Sequence, residues 1–546
     1  MITGKMFRDG IISGAHNIQN HQKAVDALNV FPVPDGDTGT NMSMTISMAA
    51  KEMELLPDDV SIAEASAKCA SALLRGARGN SGVILSLIFR GFSKAFKGME
   101  EADGAAVADA FDRGTKAAYK AVMKPTEGTI LTVVRYATDG AKKALEKSND
   151  PITVCDGALN GAKQALALTP ELLPVLKEAG VVDAGGQGLI FIFEGFESVF
   201  DRSVVMQIED VEAEPEEAEV QFVDAEYNYA FSFTIQMVEG GRQRDPEALK
   251  IYIESVAGDV NFEVTGKKIF VSAKTNELGH SIQTATRYGQ LIDIDIKNLK
   301  LITPEEAKEA EEAGTDEAQK TAEPVNDYGF VAVCAGEGLT GLFKDIGVDI
   351  VVSGGQTMNP STDDILNAVL ATPAKVVYVF PNNKNIIMAA EQTTELVSDR
   401  QVVVVGTKTV PEGISAILAF DETETPESNV EIMTEAIGGV STAQVTFAAR
   451  DSEVDGKFIK EGEIMGLCDG DIQFLGHDVK EIAVNSALKI FNKDFNSLLT
   501  IIYGENATEE QATDIATALK AELSDDVEIS IIDGGQPIYY FIISAE

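Results

Sequence analysis

Two acidic stretches constrain this chain more than anything else in it. IEDVEAEPEEAEVQFVDAE at 208–226 and TPEEAKEAEEAGTDEAQKTAEPVNDYG at 303–329 carry like charges at a density that resists burial, so they read as linkers. They part 546 residues, too many for one hydrophobic core, into three segments with different hydrophobic rhythms. In the first, Phe7, Ile11, Ala15, Ile18, Val25 and Leu28 recur at helical intervals as one stripe. Met42, Ile46, Ala49 and Met53 repeat the interval, as do Ile62, Ala65, Cys69 and Ala72. The expectation is an all-α bundle of about eight helices with short loops over residues 1–205. The middle segment mixes strand-like FSFTIQMV and KKIFVSAK with helix-like PEALKIYIESV and SIQTATRYGQ, a small α+β domain at 227–302. The last, 327–546, alternates buried strand runs (FVAVCA, DIVVSG, KVVYVF, QVVVVG) with helical patterns, which predicts an open α/β sheet. VTFAAR, DGDIQFLG and YYFIISAE add further strands to it. Acidic linkers at 206–226 and 303–326 complete the division.

Charge narrows the partners. A formal net charge of −43 argues against nucleic acid, whose phosphates select basic surfaces, and against docking on anionic lipid. Cys69, Cys155, Cys334 and Cys468 form no CxxC pair, so they read as small buried hydrophobes of a reducing compartment. The N-terminus MITGKMFRDGIISG has no apolar h-region with a cleavage site, and no run is long enough to span a membrane. A cytoplasmic location with no integral membrane association is expected.

Chemistry concentrates in the glycine-rich turns of the first segment. NVFPVPDGDTGTNM at 29–42 holds Asp35 and Asp37 one glycine apart, a spacing that lets two carboxylates converge on a hard cation. An Asx-turn with an Asp cap is the plainer alternative. GARGNSGVILS at 76–86, PTEGTIL at 125–131 and DAGGQGLI at 183–190 also fall between helices. If the four turns share one end of the bundle, their glycines, free helix N–H groups and the hydroxyls of Thr38, Ser81 and Thr129 form a rim suited to a polyphosphate. Ordinary loops and N-caps would leave the same residues. GEGLTG at 336–341 spells a dinucleotide fingerprint but reads as a structural turn, and no GxxxxGK[ST] is present.

Together these four motifs resemble the nucleotide-binding subunit of the dihydroxyacetone kinases and, more closely, the catalytic subunit of bacterial fatty acid kinases. YGFVAVCAGEGLTGLFKDIGVDIVVSGGQTMNPS and PNNKNIIMAAEQ are similar to that family's C-terminal domain, so the resemblance covers essentially the whole chain. It implies a multidomain fold: an N-terminal eight-helix barrel of the dihydroxyacetone-kinase nucleotide-domain type, the small α+β domain, and a C-terminal α/β DegV-like domain. It further implies ATP with two Mg²⁺ ions on the loop-bearing rim. Asp35 and Asp37 match the family's metal-ligating aspartates, and a third carboxylate of the dihydroxyacetone kinases falls near Asn29, with the spacing off by one. Thr38, Gly39, Asn41 and Met42 match the phosphate and adenine side; Gly79, Asn80, Ser81, Gly82, Thr129, Asp183 and Gly185 match the other nucleotide loops. Arg78 is a candidate positive charge near the transferring group, or else a surface residue.

The implied reaction transfers the γ-phosphoryl group to a fatty acid carboxylate, giving an acyl phosphate, with the acid presented by a separate DegV-like acyl-binding protein. A homodimer is the expected assembly. The acyl-binding proteins use a TSQPS-like loop that is not found here, so partner docking or dimer formation is the expected role of the C-terminal domain. The middle domain departs from the family. Ala230, Ser272 and Lys274 stand where a Cys and two His are usual, and His280 has no second ligand nearby, so no zinc is expected there. Two alternatives stay open: a kinase of a small hydroxylated metabolite, and a non-catalytic docking scaffold.

Overall fold

The computed structural model describes the chain apart from residues 30–35, 123, 209–220, 223–226, 238–245, 266, 303–320, 356–357, 449–451, 455–456 and 525. Most of both acidic linkers, and Asp35, thus lie outside the described residues. Two compact units result: Met1–Glu209 with Ala318–Glu546, and Asp210–Glu317.

The first part of the larger unit is built from eight long helices. They are α1 (Gly4–Asn20), α3 (Thr38–Glu54), α4 (Ile62–Arg75), α5 (Gly79–Ala95), α6 (Gly104–Ala121), α7 (Ile130–Leu145), α8 (Pro151–Leu172) and α10 (Ala184–Arg202), with short α2 (Gln22–Leu28) and α9 (Pro174–Glu178) between them. Each long helix packs on the next in sequence, and α10 closes the ring on α1. The expected stripes form its core: Phe7, Ile11, Ile18, Met42, Ile46, Met53, Ile62 and Cys69 are all buried. Glycine sets the closest crossings. A Cβ on Gly195 would fall on the backbone of Gly14, so α1 and α10 meet main chain to main chain. The opening stripe does not run through one helix, as the periodicity suggested. It breaks at His21, whose Nδ1 lies 2.9 Å from the Asn17 carbonyl and whose ring stacks on Phe191 at 4.1 Å. At the end of the ring where α5 and α10 finish, an aromatic-lined cavity of about 50 Å³ lies among Phe7, Phe92, Phe96, Phe111, Phe193 and Phe196.

Among the described residues the C-terminal part carries two large sheets, and the hairpin Ser452–Val454 with Lys457–Ile459, rather than the single open sheet expected. The first is four-stranded and parallel, ordered Ile350–Ser353, Asn326–Cys334, Ala374–Phe380, Gln401–Val404. The second has six strands, ordered Asp471–Gly476, Ile464–Cys468, Ser441–Phe447, Phe541–Ala545, Leu498–Tyr503, Glu528–Asp533. It is antiparallel except for its last pair. A continuous apolar run shows that a strand is buried but not which sheet receives it. Gly336 takes φ +108° in close approach to Gly534 and Gly535, so the GEGLTG turn is packed by the chain's own backbone.

Helical and C-terminal parts share a core. Ala77, Val83 and Leu87 of the α5 region pack with Val331, Val352, Ile365 and Ala390 of the C-terminal part. Arg90 adds an ion pair to Glu395 at 2.7 Å across the same contact.

The second unit is an antiparallel sheet ordered Ala257–Thr265, Lys268–Thr275, Tyr229–Gln236, Gln290–Asn298, with helices Pro246–Val256 and Leu278–Ala285. Its outer two strands were not anticipated. Ala230 pairs with Lys274 and Ser232 with Ser272 across the two central strands, and the His280 ring bonds Glu277 at 2.8 Å. Among the described residues no helix is long and apolar enough to cross a membrane.

Candidate functional site

The four glycine turns meet at one end of the ring. A Cβ on Gly79, at the start of α5, would lie 2.7 Å from Asn41 Nδ2 in the first turn of α3. One on Gly188 would lie 2.7 Å from Met42 Sδ, and one on Gly185 lies 3.3 Å from Ile130 Cβ. Neighbouring helices run in opposite directions, so the N-termini of α3, α5, α7 and α10 come together.

Capping separates this end from the other. Thr3, Ser61, Asp103 and Asp150 cap α1, α4, α6 and α8 with side-chain acceptors. By contrast Asp37, Arg78 and Thr129, at the N-caps of α3, α5 and α7, make no side-chain cap bond. Three helix starts on one rim thus keep N–H groups that their own N-cap side chains do not take up, the arrangement that binds anions. Thr129 donates its hydroxyl to the Thr126 carbonyl at 2.8 Å. Of the four helices, α10 is capped by its own N-cap residue, Asp183, through the Gly186 N–H at 2.7 Å. Burial pushes the Asp183 carboxyl up to about 6, against the lowering effect of the Gly186 and Ile130 amides.

Asp26 explains the freedom of Asp37. The Asp26 carboxylate, on α2, accepts the Thr40 N–H at 3.0 Å and the Thr40 hydroxyl at 2.9 Å. It supplies α3 with the one cap bond that Asp37 does not, because the break at His21 turns α2 towards α3. The position follows from tertiary placement, and no motif in the sequence singled it out. Gly36 at φ +60° makes the turn that delivers Asp37. Asp37 is 8% exposed, and its pKa is raised by desolvation, lowered in part by the Asn41 and Asn359 side chains, and raised again by the Asp26 charge.

Asn29, the weak third ligand by motif, offers Asp37 an N–H rather than an oxygen: its Nδ2 stands 3.5 Å from Asp37 Oδ1. Thr38 opens α3, and Gly39 packs on the Gln22 carbonyl, where a Cβ would not fit. Asn41 is buried, and Met42 is fully buried in the ring core. Gly79, Asn80, Ser81 and Gly82 make the first turn of α5, with Asn80 Nδ2 3.3 Å from Asn385 Oδ1 and Gly82 close on Thr45. Arg78 is turned to the C-terminal part. Its Nη1 donates to the Asn359 carbonyl at 2.8 Å, and its Nη2 lies 3.6 Å from Asp364.

The residue that sequence reasoning missed is Asn359. It lies over three hundred positions from the first glycine turn, inside SGGQTMNPS, and its Nδ2 donates to Asp37 Oδ2 at 2.6 Å. A desolvated carboxylate, amide oxygens and helix N–H groups form a donor set for a hard cation and a phosphate chain together. An acidic cluster of Asp156, Glu197 and Asp201 sits at the opposite end of α10, away from this rim.

Family profiles match the helical and the C-terminal part separately. A family profile described as "DAK2 domain" matches residues 32–198, and one for the FakA-like fatty acid kinase C-terminal domain matches residues 329–546. Protein YloV of Bacillus subtilis (strain 168) is 40% identical over 565 residues, covering 100% of this chain and 99% of its own length. Uncharacterized protein SSP1546 of Staphylococcus saprophyticus is 37% identical over 558 residues, with 100% and 99% covered. Among solved structures, the DegV family protein Cg2579 of Corynebacterium glutamicum aligns with 41% of this chain and 98% of its own (14% identity, TM-score 0.32). The dihydroxyacetone kinase of C. freundii aligns with 35% and 34% (19% identity, TM-score 0.26).

Proposed function

The chain belongs to the FakA-like fatty acid kinase family, and from that premise we propose that it phosphorylates a fatty acid carboxylate at the expense of ATP. A carboxylate oxygen forms a bond to the γ-phosphorus as the bond from that phosphorus to the β–γ bridging oxygen breaks, giving acyl phosphate and ADP. A separate DegV-like acyl-binding protein presents the acid. Residues 1–205 are the catalytic domain in this reading, and 227–302 and 327–546 serve docking and homodimer formation in the cytoplasm.

The observation that carries the reading is the shared rim: the N-cap side chains of α3, α5 and α7 make no cap bond, so that, apart from the Thr40 N–H held by Asp26 and the Ile130 N–H held by Asp183, first-turn N–H groups stand beside a buried carboxylate. Asp37, with Asp35 beyond the described residues, would hold two Mg²⁺ ions, whose charge offsets that of the transferring phosphoryl group. The chain's own contribution is positioning. N–H groups of Gly39, Asn80 and Ser81 would face the phosphates, and Thr38, Gly82, Thr129, Asp183 and Gly185 would border them, the Gly82 N–H being held by the Arg78 carbonyl. Fixed dipoles of this kind need no reorganisation as charge shifts in phosphoryl transfer. Arg78 is assigned to the contact with the C-terminal part rather than to the transferring group.

The test incubates the protein with ATP, Mg²⁺, a long-chain fatty acid and candidate acyl-binding proteins, and traps acyl phosphate with hydroxylamine. Hydroxamate should form with a cognate partner and be lost in Asp35→Ala and Asp37→Ala at unchanged helicity. A phosphorylated product that resists hydroxylamine would indicate a hydroxyl acceptor instead. No product with any partner would remove the proposal.

A further inference from the structure

We infer that Asn359, supplied by the C-terminal part of the chain, is a positioning residue of the nucleotide–metal rim: its side-chain amide orients the Asp37 carboxylate towards the ion. The inference rests on the reading of Asp37 as a metal ligand, and goes beyond it in making the site common to both parts.

The two Asp37 oxygens are not equivalent. Oδ2 accepts a 2.6 Å bond from Asn359 Nδ2, whereas Oδ1 has a long 3.5 Å contact with Asn29 Nδ2, and the Asn41 side chain adds a further hydrogen bond to the carboxylate. A carboxylate with one oxygen held by an outer amide and the other directed at a cation is the usual way protein groups aim a metal ligand. The amide's orientation is fixed by chemistry, because the reverse would set its oxygen against a carboxylate oxygen. That same orientation leaves a second sign. Asn359 is 2% exposed, and its Oδ1 has no hydrogen-bond partner among the described residues. A buried acceptor left unfilled calls for a donor that the described residues do not supply. Water bound to a hard cation at Asp37 is such a donor.

Asn359 is itself held from both parts. Arg78 donates to its carbonyl, and Arg78 and Ser361 form an isolated antiparallel bridge. Thr362 N–H donates to the Ala77 carbonyl at 3.0 Å. Ser361 and Asp364 form a capping box that fixes the start of helix Thr362–Ala371 immediately after it. A residue pinned this firmly can orient a neighbour at little entropic cost.

A purely structural contact between the two parts would show the same bonds, so the test separates metal affinity from cohesion. Mn²⁺ alone, titrated into full-length protein and followed by electron paramagnetic resonance of the free ion, is the probe. Asn359→Ala should weaken Mn²⁺ binding about 10–100-fold, the effect typical of losing an outer-shell partner. Asn359→Leu, which keeps the volume without the donor, should do the same and covers the case of an alanine variant that fails to fold. Glu395→Ala breaks the Arg90 ion pair in the same contact, away from the rim, and should leave Mn²⁺ affinity unchanged. Unchanged affinity in both Asn359 variants, or an equal loss in Glu395→Ala, overturns the inference. Asp37→Ala reports on the underlying reading: if it binds Mn²⁺ as the parent protein does, the metal assignment fails, and with it the role of Asn359. Loss in Asp37→Ala with no change in the Asn359 variants refutes the inference alone.

Discussion

Asp183 should make this protein less stable at neutral pH than at mildly acidic pH. Its carboxyl is enclosed even though the residue as a whole is partly exposed, and the enclosure raises its pKa to about 6. An unfolded chain holds an aspartate near its ordinary value of about 3.9. The folded state therefore binds the proton more tightly. Stability falls as pH rises from about 4 to about 6 and is level above that. A rise from about 3.9 to about 6 corresponds to at most about 3 kcal/mol.

Asp183→Asn removes that charge and keeps one carbonyl oxygen for the Gly186 and Ile130 amides that Asp183 now serves. Losing one of two acceptors costs about 1 kcal/mol. The net expectation is a gain of about 1–2 kcal/mol at pH 7.5 and a loss of about 1 kcal/mol at pH 4, where Asp183 is already neutral. For a compact unit as large as Met1–Glu209 with Ala318–Glu546 that is about 1–2 °C upward in Tm at pH 7.5. Thermal melts followed by circular dichroism, without nucleotide, read it directly. An equal effect of the substitution at pH 4 and pH 7.5 would refute the reasoning, since only titration of Asp183 makes the sign change. A carboxylate that costs stability at the rim of a candidate site is what function, rather than folding, retains.

Other substitutions test the scaffold. Gly195→Ala gains about 1 kcal/mol of helix propensity, but its Cβ meets Gly14 backbone, so a net loss of about 1–2 kcal/mol is expected in urea melts. The Arg400 guanidinium is buried and donates to the carbonyls of Ala322, Val369, Leu370 and Thr372 as well as to Asp399, so Arg400→Met should cost about 3–5 kcal/mol, measured by the shift of the unfolding midpoint. Asp103→Ala removes the α6 cap at the end of the ring away from the rim. It should cost about 1 kcal/mol in the same assay without altering nucleotide affinity.

Helices were legible where period and burial coincide. The Met42, Ile46, Ala49 and Met53 stripe lies in one helix and is buried throughout, because a single face of a 3.6-residue repeat has one way to leave water. The split at His21 was not legible: no Gly or Pro marks it, and its cause is contact with Phe191 and Asn17. In the middle unit, GDVNFEVT and LIDIDIKN became strands that were not anticipated, although their apolar residues alternate with polar ones, the period of a half-buried strand. Pairing to neighbours decides such short segments, which is why strand propensity depends so much on context.

Local chemistry also carried much of the rim. A glycine-rich turn with paired aspartates declares its backbone freedom and the oxygen donors it offers within a few residues, and alternation along a ring of antiparallel helices brings every second turn to one end. What the sequence could determine by itself was therefore the segmentation, the helical ring and the chemical character of its turns, because charge, period and backbone permissiveness act over neighbouring residues. Only the tertiary structure decided that Asp26 caps α3, that Arg78 faces the C-terminal part, and that Asn359 holds Asp37. Each depends on a side chain meeting a partner that packing, not chain proximity, brings within reach. A hydrogen bond of 2.6 Å between residues 37 and 359 leaves no periodic trace in one sequence.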